Sequence, residues 1–178
     1  AAISMVYLFE RMFLLHGESK YIDCLERTLY NGVISGMSMD GGRFFYPNPL
    51  SSDGKYKFNS DGNTTRQPWF GCACCPSNLC RFIPSVPGYL FGVKDNNIYV
   101  NLFAGNTSTI KVGGKNVVLE ETTEYPWDGD IKITVKKRAA KNANLLVRIP
   151  GWVRNQVVPS DLYAYRDAEK PAYSVTVN

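Results

Sequence analysis

No apolar run in these 178 residues approaches the roughly 20 positions that a membrane-spanning helix needs. The apolar start, AAISMVYLFERMFLL, is interrupted by Glu10 and Arg11. It has no basic region before it and no cleavage site after it. It reads as a buried helix and not as a signal peptide, so a membrane is not among the expected partners. Basic stripes are missing too. The 20 lysines and arginines are scattered among 16 acidic residues, for a net charge of +4. The densest basic run, Lys136, Lys137 and Arg138, reads as a solvated strand end, and nucleic acid is not an expected partner either. Histidine is nearly absent. His16 is the only one, and its place just before Gly17 suits a cation near a helix C-terminus better than a catalytic or metal role. No internal repeat is visible, and nothing in the composition points to a disordered or collagenous chain.

The composition that remains is that of an ordinary globular protein. At 44% hydrophobic, the chain can bury one sizeable core or two small ones. Its distinctive feature is cysteine. Four of the five fall within residues 69–81, WFGCACCPSNLCR: Cys72, Cys74, Cys75 and Cys80. Cys24 stands apart. Five cysteines cannot all pair with one another, and CACC crowds three into four positions. Thiolate or metal chemistry fits this better than a framework of spaced disulfides. The redox compartment stays open.

The expected fold class is α+β. Residues 1–15 are apolar nearly all round, as in a helix buried on most sides, with Gly17 as its C-terminal cap. Ser19 can cap a second helix over about 20–37, whose buried face carries Ile22, Leu25, Leu29 and Val33. The short link predicts an antiparallel helical hairpin. Glu26 lies beside that apolar face, where spacing alone suggests a surface ion pair. Residues 40–70 are punctuated by glycine and proline and rich in aromatic rings, which predicts a long structured loop with a small hairpin around residues 56–58. Such rings suit stacking on sugars and equally suit a loop that must pin itself down. A short helix is expected over about 76–83, then a kinked continuation through Pro84 and Pro87.

From Asn97 the period changes. NIYVNLF, TSTIKV, NVVLEET, DIKITVKK, NLLVRIP and YSVTVN are strand-like runs. They suggest an antiparallel sheet, half of a β-sandwich. The expected boundary divides the chain into 1–95 and 96–178. The chain begins at Ala1 inside a helical pattern and ends inside strand-like alternation, and both ends read as cut from a longer protein. Two matches to the glycosylation sequon, at Asn63 and Asn106, are short enough to arise by chance.

Pro76 carries the local chemistry of the cysteine stretch. Proline is favoured in the first turn of a helix, so Cys74 and Cys75 fall at a helix N-terminus. Unpaired backbone N–H groups and the helix dipole favour a thiolate there. Cys74 and Cys75 are therefore candidates for nucleophile, metal ligand or both. Cys72 and Cys75 have C-x₂-C spacing, so a structural four-cysteine zinc site with Cys80 and Cys24 stays open, as do inert buried thiols. Cys80, beside Leu79, is expected to be such a packed thiol.

The runs YIDCLERTLYNGVISGMSMDGGRFFYPNPL and RQPWFGCACCPSNLCRFIPSVPGYLFG resemble glycoside hydrolase family 127, the β-L-arabinofuranosidases, and NLLVRIPGW resembles the family's β domain. The resemblance implies that residues 1–95 are the C-terminal part of an (α/α)₆ catalytic barrel. It also implies a retaining glycosidase in which a zinc-bound cysteine replaces the usual carboxylate nucleophile. Residue by residue, Cys74 matches the nucleophile and a Zn²⁺ ligand. Cys75 matches a second Zn²⁺ ligand, while Glu26 and Tyr46 match positions that contact the sugar or the thiolate region. Cys72 is not a ligand in that pattern. The family's other two zinc ligands come from a Glu-x-Cys motif preceding position 1, and its acid/base glutamate lies further upstream. The resemblance thus implies that these residues alone hold half a zinc shell, are inactive, and leave a helical face to be covered by the rest of the protein or by another copy. The implied substrates are plant glycans containing L-arabinofuranose.

Two other readings remain beside it. One is a non-catalytic carbohydrate-binding β-sandwich with aromatic loops. The other is a structural domain stapled by zinc.

Overall fold

A computed structural model describes residues 1–137, 143–167 and 171–178. The chain divides into two compact units. One comprises Ala1–Gly17 and Asp23–Val86, and the other Glu18–Ile22 and Pro87–Asn178.

The first unit opens on α1, Ala2–His16. Gly17 ends it in the left-handed conformation (φ 70°), and its N–H donates to the Phe13 carbonyl at 2.7 Å. Only glycine takes that conformation without a Cβ penalty. Burial on most sides is not what α1 shows. Val6 and Phe13, seven residues apart, are its buried residues. Met5, Tyr7, Leu8, Leu14 and Leu15 are exposed, Leu15 at 71%. The apolar character of α1 is therefore only partly spent within this chain.

After two residues α2 runs over Ser19–Thr28. The single helix expected over 20–37 changes character at Leu29. A π-helical turn, Leu29–Val33, is closed by the Ile34 N–H on the Leu29 carbonyl, and a 3₁₀ turn, Ile34–Gly36, follows. Asn31 and Gly32 are weak helix formers. Gly32 also sits where a Cβ would come within 3.2 Å of the Ala2 Cβ, so the backbones approach closely here. Ile22, Leu25, Leu29 and Val33 are all buried, as their spacing predicts.

The segment from residue 40 to 70 has no hairpin at 56–58. It is tied at Phe44, which bridges to both Met37 and Gln67. Aromatic pairs do the packing: Phe44 on Trp69, Phe45 on Phe58 and Tyr46 on Phe70, all edge to face. Arg66 lies over the Phe45 ring at 4.3 Å and donates to the Ser35 carbonyl at 2.6 Å. Helix α3, Cys74–Phe82, follows and buries Pro76, Leu79 and Phe82. The 3₁₀ stretch Ile83–Tyr89 contains Pro87, in keeping with the expected kinked continuation.

Among its described residues the second unit holds two three-stranded sheets. In one, β1 (Phe91–Lys94) pairs antiparallel with β2 (Asn97–Val100). β2 then pairs with β6 (Asn144–Val147) in parallel, which departs from the all-antiparallel expectation. A parallel partner arrives by a long crossover, so no turn signal announces it. In the other, β3 (Asn106–Val112), β4 (Lys115–Thr123) and β5 (Ile131–Lys137) are antiparallel. Gly113 and Gly114, both at positive φ, make the two-residue turn between β3 and β4. Ile98 from the first sheet packs with Ile110, Val112, Val117 and Leu119 from the second in one cluster. Arg148, after β6, is buried, donates to the Asn101 carbonyl at 2.6 Å and lies over the Phe103 ring at 5.5 Å. Residues 173–178, expected as a strand, form none, and Tyr173, Val175 and Val177 are exposed. Alternating residues make a strand only where a neighbour completes the ladder. Of the basic run at 136–138, Lys136 and Lys137 end β5, Lys136 pairs with Glu120 at 2.8 Å, and Arg138 lies outside the described residues.

Candidate active site

Cys74 and Cys75 are the first two residues of α3, with Ala73 ahead of them and Pro76 buried in the first turn. The first helical bond runs from the Ser77 N–H to the Ala73 carbonyl, 3.1 Å. The N–H groups before it have no intrahelical acceptor and face the thiols' end of the helix. All five cysteines are free thiols, and Cys72, Cys74, Cys75 and Cys80 are exposed.

Folding adds Tyr46 to this helix end. Its Oη lies 2.8 Å from Cys74 Sγ. That hydrogen bond is the main cause of a Cys74 thiol held below its ordinary value, with smaller help from the Cys75 and Cys72 side chains. The same contact pushes the Tyr46 phenol well up. The phenol thus keeps its proton and donates it to a thiolate. Cys75 behaves oppositely. Desolvation raises its thiol, and the neighbouring Cys74 adds to this.

Cys74 Sγ and Cys75 Sγ are 3.9 Å apart. Two thiolates on one tetrahedral zinc, each bonded at about 2.3 Å, stand about 3.8 Å apart. The pair therefore fits two corners of a zinc shell. Among the described residues no group of three or more His, Cys, Asp or Glu side chains is arranged to hold a metal ion. The four-cysteine staple is accordingly not formed, and Cys24 lies half-buried on α2, with its thiol raised chiefly by burial.

Two family-model matches cover most of the chain. Residues 1–88 match the β-L-arabinofuranosidase GH127 catalytic domain, and residues 97–178 match the GH127 middle domain. A non-reducing end β-L-arabinofuranosidase of Bifidobacterium longum subsp. longum is 34% identical over 162 residues, covering 86% of this chain and 24% of that protein. A solved GH127 β-arabinofuranosidase superposes with a TM-score of 0.87 at 53% identity, over 99% of this chain and 28% of the other. The crystal structure of a GH127 β-L-arabinofuranosidase from Geobacillus stearothermophilus T6 gives 0.73 at 41% identity, over 84% and 24%. This chain belongs to glycoside hydrolase family 127. It spans about a quarter of the length of these relatives.

Within this family 127 chain, the structure joins Tyr46 to Cys74 and Cys75, and places Glu26 buried on α2. It adds Cys72, which lies close enough to Tyr46 and Cys74 to contribute to the shifts of both. The Cys-x-Cys spacing was the available signal, since two residues is a short reach in an extended turn. Cys80 corrects the expectation of a packed thiol. The buried stripe of α3 follows residues 76, 79 and 82, and Cys80 falls off it. Sequence reasoning also missed Asn59, which is 3% exposed and accepts the Tyr46 N–H at 2.8 Å.

Proposed function

We propose that this chain carries the nucleophile of a retaining β-L-arabinofuranosidase acting on plant glycans that contain L-arabinofuranose. The observation that carries the reading is the 2.8 Å contact between Tyr46 Oη and Cys74 Sγ at the start of α3. An exposed thiol at a helix N-terminus, held below its ordinary value by a phenolic donor, is poised as a nucleophile.

In this reading the Cys74 thiolate attacks the anomeric carbon. The carbon–sulfur bond forms as the glycosidic carbon–oxygen bond breaks, and an acid/base glutamate supplies the proton to the leaving oxygen. Water activated by that glutamate then cleaves the carbon–sulfur bond, releasing L-arabinose and restoring Cys74. Tyr46 steadies the sulfur while it carries charge. Glu26 contacts the sugar. Cys74 and Cys75 would hold zinc, which when bound keeps thiols deprotonated near neutral pH. In family terms, the remaining ligands and the acid/base glutamate belong to parts of the relatives that these 178 residues do not match. The chain by itself is therefore proposed to be inactive.

The test is Cys74→Ser in a catalytically competent protein containing this chain. Hydrolysis of an aryl β-L-arabinofuranoside should fall by at least three orders of magnitude while L-arabinose still binds, since a hydroxyl lacks the thiolate's nucleophilicity. Ordinary turnover in the variant refutes the nucleophile assignment.

A further inference from the structure

Three consecutive backbone N–H groups of the aromatic loop are each held by a different segment. The Phe44 N–H donates to the Gln67 carbonyl and the Phe45 N–H to the Gly36 carbonyl, both at 2.8 Å. The Tyr46 N–H donates to Asn59 Oδ1, also at 2.8 Å. Only this third anchor is a side chain. Asn59 is itself fixed on every side. Its Oδ1 accepts the Ser60 N–H at 3.1 Å, and its Nδ2 donates to the Thr65 carbonyl at 2.8 Å. Its own N–H donates to the Asn63 carbonyl at 2.9 Å, and its carbonyl accepts the Gly62 N–H at 3.2 Å.

Tyr46 needs such an anchor. Its side chain is only half-buried and meets Phe70 edge-on at 5.5 Å, yet its hydroxyl must stay within hydrogen-bond range of a sulfur 28 positions away. Pro47 restricts the Tyr46 backbone to extended conformations without fixing where it sits. The Asn59 amide fixes that position.

We propose that Asn59 is a positioning residue of the thiolate site: its buried amide holds the Tyr46 backbone where the Tyr46 hydroxyl meets Cys74. This rests on reading Cys74 as the reacting thiol. Asn59 touches neither sulfur nor sugar and acts through Tyr46.

The test measures iodoacetamide alkylation of Cys74 relative to exposed Cys80 in the same molecule, in chelator, at one pH. Circular dichroism checks folding. Tyr46→Phe should lower the Cys74:Cys80 rate ratio about threefold, because the hydroxyl that meets the Cys74 sulfur is gone. Asn59→Ala should lower the ratio at least twofold, and the double variant should fall no further than Tyr46→Phe alone. If Asn59→Ala does not fold, Asn59→Gln, which shifts the amide by one methylene, should give the same drop. A wild-type ratio in the folded Ala or Gln variant overturns the proposal. So does an additive double variant. No effect of Tyr46→Phe would sink the Tyr46–Cys74 reading itself. An effect there without one at Asn59 sinks only the role given to Asn59.

Discussion

The Tyr46 hydroxyl stands 2.8 Å from the Cys74 sulfur, across 28 positions of chain. The contact joins a residue of an irregular loop to the first residue of a helix, and it separates two thiols that sequence makes equivalent neighbours. The Cys74 thiol, beside the phenol, is held below its ordinary value, and the Cys75 thiol, one position on, is pushed above it.

Removing the phenol should erase much of that difference. In Tyr46→Phe the Cys74 midpoint moves upward, toward that of an ordinary thiol, because the hydrogen bond to Tyr46 is the main cause of its lowering. Thiolate absorbance near 240 nm, followed against pH and corrected with Cys74→Ala, measures it. A midpoint that stays in place would assign the lowering to the helix end and the other cysteines.

Glu121 on β4 makes a second prediction, on stability. It is 2% exposed, one carboxyl oxygen has no hydrogen-bond partner among the described residues, and the other accepts from Asn106 Nδ2 at 3.2 Å. Burial raises its pKa to about 7 against the hydrogen bonds that oppose the shift. An acid whose pKa is raised on folding stabilises the fold while protonated. That contribution is complete below the unfolded pKa, near 4.5, and is lost as pH rises through about 7. Glu121→Gln stays neutral and keeps an acceptor for Asn106. It should match the parent at pH 4 and exceed it at pH 8 by on the order of 2 kcal/mol. Urea midpoints at the two pH values decide this, and an equal difference at both would refute it.

Phe82 closes α3 on its buried side. It is 1% exposed and meets Tyr7 of α1 edge-on at 5.7 Å. Phe82→Ala should cost about 3–5 kcal/mol, the range for deleting a large buried ring. Denaturant unfolding gives the value, and a loss under about 1 kcal/mol would mean the site collapses around the missing ring.

Local rules located much of this fold. Gly17 ends α1 because it takes the left-handed cap without a Cβ penalty, and Gly113-Gly114 closes a hairpin for a related reason. Pro76 marked the first turn of α3, and with it the exposed helix end that holds Cys74 and Cys75. Other features left no such mark. The π-turn at Leu29–Val33 accompanies the close approach of Gly32 to Ala2, and the parallel pairing of β6 with β2 spans 47 positions. The burial of α3 passes Cys80 by, although composition gave it the same standing as Leu79 beside it.

The sequence by itself determined the kinds of group at the site and the backbone positions that present them. Thiols at the start of a helix, a proline behind them and aromatic residues in a punctuated loop follow from short-range sterics and hydrogen bonding. Only the tertiary structure decided which thiol meets the phenol. That outcome depends on three loop N–H groups finding acceptors at Gly36, Asn59 and Gln67, and such partners are chosen by packing, not by neighbours in the chain.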